Sequence, residues 1–139
     1  MNHPILQPIL ALVLWTFVLW FWLYITRLPA MQRAGIDARK IKNREDLDVL
    51  PQSARQVAHN YNHLHEQPTI FYALLIYTHL MGLGDSTNTV LAWAYVGARV
   101  VHSLIQCTSN YVPLRFVVFA VGSFFLMAIG IRDVMLAWF

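Results

Sequence analysis

Apolar residues run in four long blocks separated by shorter polar breaks, the pattern of membrane-crossing helices rather than of a soluble core. Residues 4–26, PILQPILALVLWTFVLWFWLYIT, contain no charge. At about 1.5 Å per residue they are long enough for a hydrocarbon layer of about 30 Å. The basic leader, short apolar core and small-residue cleavage site of a secretory signal are missing, so this block is expected to remain in the mature chain. Residues 27–52 read as a hydrophilic connection. A second helix is expected over 53–81, polar in its first half (RQVAHNYNHLHEQ) and apolar in its second (TIFYALLIYTHLM). GLGDSTN then makes a turn whose Asp85 and Ser86 suit a helix cap. Third and fourth helices are expected over 88–107 and 114–131, with Arg132 and Asp133 near the exit of the last. The pattern predicts an all-α, four-transmembrane-helix bundle forming a single integral membrane domain over residues 1–139.

Composition strengthens this picture. Hydrophobic residues make up 58% of the 139 and charged ones 12%, above the apolar share of about half in soluble domains. A disordered chain is excluded. The formal charge of +3 does not point to nucleic acid, because Arg27, Arg33, Arg39, Lys40, Lys42 and Arg44 all lie in one connection. The positive-inside bias places that connection in the cytoplasm and the termini outside. Cys107 is the single cysteine, which excludes an intramolecular disulfide and any cysteine-pair zinc site.

Polar residues inside membrane helices are costly and mark sites. Arg55, His59, Asn62, His63 and Glu66 recur at helical spacing in the second helix, and Arg99, His102, Ser103 and Gln106 share a face of the third. Arg115 opens the fourth. One reading is structural: Glu66 pairs with Arg99 or Arg115 and the histidines bond carbonyls. The other is a cationic pocket on the cytoplasmic side. Its arginines would bind carboxylates through their planar forks, and Glu66 would accept an ammonium group, as an amino-acid or peptide-like ligand requires. Metal is not expected. His59 and His63 are one turn apart, but His65 points about 200° from His63, and a di-iron bundle needs more carboxylates. Ala94 and Ala98 are spaced for close helix approach.

The stretches RQVAHNYNHLHEQPTIFY (55–72) and RVVHSLIQCTSNYVPLRFVVF (99–119) resemble the MAPEG family, the membrane-associated proteins in eicosanoid and glutathione metabolism. The resemblance covers nearly the whole chain and is nearest to a compact bacterial branch. It implies a homotrimer with sites between subunits, and glutathione as ligand and co-substrate, activated as its thiolate. Glu66, Arg99 and Arg115 match family positions, Arg115 the one that stabilises the thiolate; His102 stands where members have His or Tyr. His59 replaces an arginine, His63 an asparagine, Gln106 a tyrosine and Phe116 a serine found in eicosanoid enzymes.

The expected function is therefore a glutathione-dependent transferase or peroxidase acting on a lipophilic electrophile. Arg115 would be catalytic, and Arg55, His59, Asn62, His63, Glu66, Arg99, His102 and Gln106 would hold glutathione. The expected partners are the homotrimer's other copies, membrane lipids and a lipophilic substrate, in a bacterial inner membrane. A non-catalytic trimer whose polar cluster is structural or binds a lipid headgroup is the alternative. An ion pathway is less well supported, since the second helix is polar only in its inner half.

Overall fold

The structure, a computed structural model, describes residues 3–139, and no strand occurs among them. Helix α1 spans Gln7–Arg33, α2 Gln52–His63, α3 Gln67–Leu80, α4 Ser86–Cys107 and α5 Val112–Trp138. Helix α4 packs most extensively on α5, and α1 on α2.

Helices α2 and α3 take the place of the single helix expected over 53–81, a difference that traces to Pro68. In a continuous helix the proline ring collides with the carbonyl four residues earlier, here that of Leu64, and its missing N–H removes a hydrogen bond. Helix α2 accordingly ends at His63, and the chain tightens so that His65 N–H donates to Asn62 O and Glu66 N–H to His63 O. Helix α3 restarts with Pro68 in its first turn, where no N–H is needed. The Thr69 hydroxyl donates to the Glu66 carbonyl at 2.6 Å across the break. Alone, the 14 residues of α3 cover about 21 Å, short of a full span.

Helix ends are set by local chemistry. After α1 and after α3, Gly35 and Gly82 adopt positive φ (67° and 70°), and the next N–H reaches back to Met31 O and Thr78 O respectively. This closure favours glycine because it lacks Cβ. Asp85 caps α4 by accepting from Asn88 N–H at 2.7 Å.

The fold is apolar on the outside as well as within. Leu10, Phe17, Phe21, Ile25, Phe116, Phe124 and Met135 are exposed on α1 and α5. Leu12, Leu19, Phe71, Leu75, Ala92, Tyr95 and Ile129 fill the interior. A smaller cluster of Ala30, Met31, Leu50 and Ala54, flanked by Ile36, Ile41 and Leu47, pins the basic connection against the ends of α1 and α2. Gly122 of α5 lies so close to α4 that an added Cβ would sit 3.3 Å from Ala98.

At the end of the bundle nearest the 82–87 turn, a buried polar network joins three helices. Asp133, 2% exposed, accepts from the Thr78 hydroxyl at 2.5 Å and from Asn88 Nδ2 at 2.9 Å. Arg132 donates to Asn88 Oδ1 and to Asp85. Every member has a partner, which is the usual condition for polar groups inside a membrane protein.

Candidate functional site

Helix α4 has no break, so the spacing of Arg99, His102, Ser103 and Gln106 carries straight into geometry: all four are buried on one face. Arg99 is 1% exposed. Its Nη2 donates to His63 Nδ1 at 3.1 Å and to His63 O at 3.3 Å, and its guanidinium lies 5.6 Å from the centre of the Phe119 ring. Because arginine only donates, His63 Nδ1 must accept. The ring proton then sits on Nε2, the nitrogen 3.9 Å from Glu66 Oε2. The rings of His63 and His102 are stacked with centroids 5.3 Å apart, and Phe119 packs beside both.

Arg115 enters from the start of α5. Its Nη1 donates to Asn110 Oδ1 at 2.7 Å, and Asn110 itself has φ 49°, a conformation asparagine tolerates better than most residues. His63, His102, Val112, Arg115, Phe116 and Phe119 enclose a cleft of about 180 Å³. Glu66 stands at its edge with its side chain 66% exposed.

Behind the cleft the polar groups are not satisfied. Arg99 Nε and Nη1, His102 Nδ1, Ser103 Oγ, Gln106 Oε1 and Asn60 Oδ1 are buried without a hydrogen-bond partner. The ion pair among the described residues is Arg132–Asp85, the neutral His63 ring lying 3.9 Å from Glu66, so no carboxylate of these residues pairs with Arg99. Interiors normally satisfy such groups, and an uncompensated buried charge costs several kcal/mol. The arrangement suits an anion carrying further donors or acceptors.

The predicted site residues thus divide. His63, Glu66, Arg99, His102 and Arg115 come together, with Gln106 one turn farther along α4 and buried. Arg55, His59 and Asn62 instead line a separate cleft of about 280 Å³ beside Arg27, Arg44 and Asp48. The reason is the helix wheel: His63 lies about 100° from Asn62 and faces α4, whereas Arg55, His59 and Asn62 face the basic connection. His65 points elsewhere again, into an apolar cleft with Phe17, Trp20, Tyr61 and Tyr72.

Four contributors lie outside the residues that the sequence marks. Asn60 is fully buried, with Nδ2 3.4 Å from Cys107 Sγ, while Gln56 Nε2 donates to Cys107 O at 2.8 Å. Their one-turn spacing was the available signal. Asn110, which holds Arg115, and Phe119, which lies against Arg99, carried none.

The fold and site define a helical membrane bundle with a cationic polar cleft toward one end. Residues 5–135 match the MAPEG family, and the chain belongs to that family. It is an integral membrane protein, with Pro4–Arg33, Ser86–Cys107 and Val112–Trp138 long and apolar enough to cross a bilayer. No curated protein and no solved structure matches it.

Proposed function

We propose that the protein binds glutathione and is a glutathione-dependent transferase or peroxidase acting on lipophilic electrophiles. It works as a homotrimer in a bacterial inner membrane, with the 27–52 connection cytoplasmic and the termini outside. The observation that carries this reading is Arg99, a buried guanidinium with two unpartnered nitrogens and no carboxylate partner among the described residues. Glutathione has the complementary charges, two carboxylates and an ammonium group. Arg99, reached when His63 turns aside, takes a carboxylate; Glu66 takes the ammonium; His102 and Gln106 supply further hydrogen bonds. Glutathione brings a thiol that reacts as its thiolate. Arg115, which reaches the cleft directly, stabilises that anion electrostatically. Val112, Phe116 and Phe119 give the cleft an apolar wall, and Phe116 is 69% exposed on the outer surface, which suits a reaction partner arriving from the bilayer.

A second reading treats the cluster as a structural, non-catalytic core. It is favoured by the two bonds with which His63 already holds Arg99. Isothermal titration of glutathione into the detergent-purified protein separates the two, run beside an Arg99→Ala, Glu66→Ala double variant. Saturable binding in the native protein, lost in the variant, is expected. The absence of heat and of thermal stabilisation at millimolar glutathione sinks the glutathione reading and leaves the structural one.

A further inference from the structure

We infer that His63 is an internal competitor for Arg99, an autoinhibitory contact that a carboxylate ligand must displace before the guanidinium can hold it. This rests on the glutathione reading and adds to it the control of that site.

A guanidinium takes a carboxylate bidentately along either of two edges, Nε with Nη2 or Nη1 with Nη2. Both edges use Nη2. The two bonds to His63 fall on that nitrogen, at 3.1 Å to Nδ1 and 3.3 Å to the carbonyl oxygen, so both of its protons are engaged. Nε and Nη1 are the nitrogens left buried without a partner. The free donors of Arg99 are therefore the halves of two forks whose shared half His63 occupies. Turning the ring aside frees one Nη2 proton and restores one complete fork.

The two bonds are not equally easy to release. His63 is the last residue of α2, so its carbonyl is one that no N–H within that helix reaches. Arg99 caps it, and this bond belongs to the backbone. The ring bond belongs to a side chain that can rotate without unfolding the helix. That ring forms part of the cleft wall beside Arg115 and Phe116, with 31% of the side chain exposed. It stacks on His102 and meets Phe119 edge-on, which leaves it an open side to turn toward.

The exchange also selects among ligands. With Nδ1 accepting, the ring is a neutral partner and leaves the buried charge of Arg99 uncompensated, whereas a carboxylate compensates it. Displacement is thus favourable for an anion and not for a neutral amide or hydroxyl.

Glutathione is titrated calorimetrically into the protein in detergent, beside two variants that remove the ring acceptor. One is His63→Ala. The other is His63→Leu, which keeps apolar bulk against His102 and Phe119. The ligand then has no ring to displace, so its dissociation constant should fall about tenfold in both. The gain should vanish when Arg99→Ala is added to either. A residue that only braces the fold, or one that holds the ligand directly, would weaken binding when lost. Without ligand the variants should unfold at a lower temperature than the native protein, and glutathione should raise that temperature by more. Native binding that is unchanged or weakened in both variants, or a gain that survives Arg99→Ala, overturns the competitor and leaves glutathione binding in place. Binding in neither the native protein nor the variants overturns both.

Discussion

Arg115 and Arg99 are both cations near the same cleft, yet they stand differently toward it. Arg115 lines the space itself, anchored by Asn110, while Arg99 is sealed behind His63. On the proposed chemistry, Arg115→Ala should lower turnover by about a hundredfold, the scale of one lost electrostatic stabiliser, while shifting glutathione affinity much less. Steady-state kinetics on a model electrophile checks this, and equal turnover in the variant removes Arg115 from catalysis. At this scale the sequence was readable where a helix ran unbroken. The spacing of Arg99, His102 and Gln106 gave their common face correctly. The wheel sets His63 about 100° from Asn62, but it could not assign the two directions to separate clefts, because helical spacing says nothing of which neighbour occupies each direction.

Between residue and bundle, the break at 64–66 decides where Glu66 stands. Pro68 excludes a continuous helix, and Glu66 falls in the interruption at the cleft edge. Pro68→Ala removes the obstacle, so α2 should extend toward α3 and carry Glu66 away. Glutathione binding is then expected to weaken by about tenfold, the loss of one charge-assisted contact of about 1.4 kcal/mol, with helicity by circular dichroism maintained or raised. Unchanged affinity would separate Glu66 from the ligand. Proline was visible in the sequence; that the helix would stop rather than bend was not, because membrane helices tolerate kinks when neighbours satisfy the freed groups.

The basic connection has its own pH dependence. Asp46 accepts from the backbone N–H groups of Asn43 (3.0 Å) and Lys42 (2.9 Å), and these bonds hold its carboxyl below the ordinary value of 3.8. The unfolded turn therefore binds the proton more readily. The stabilisation is fully present above about pH 4 and is lost as pH falls through the lower folded value. Amide exchange at Lys42 and Asn43 should accelerate only in that acidic range. In Asp46→Asn it should already be fast at neutral pH, and a native-like rate there counts against the turn depending on the carboxylate.

For the whole molecule, apolar surface on α1 and α5 faces outward while α4 carries the polar face inward. Lipid or another copy of the chain covers such surfaces equally well, and this is why the pattern gave the bundle but not the assembly. With the trimer proposed above, native mass spectrometry in mild detergent should record three 16.0 kDa chains together. A monomer that persists as detergent is reduced sinks that assembly.

The Asp133 network and the Arg99 cluster sit about 16 Å apart along α4, counting from Asn88 to Arg99. One is complete, with every buried group matched; the other holds six stranded polar atoms. The bundle is thus built like forceps, riveted at one end and left with unspent grip at the tips. On the glutathione reading, a ligand that matches those atoms would tie α2, α4 and α5 at that end as the Asp133 network ties α3, α4 and α5 at the other.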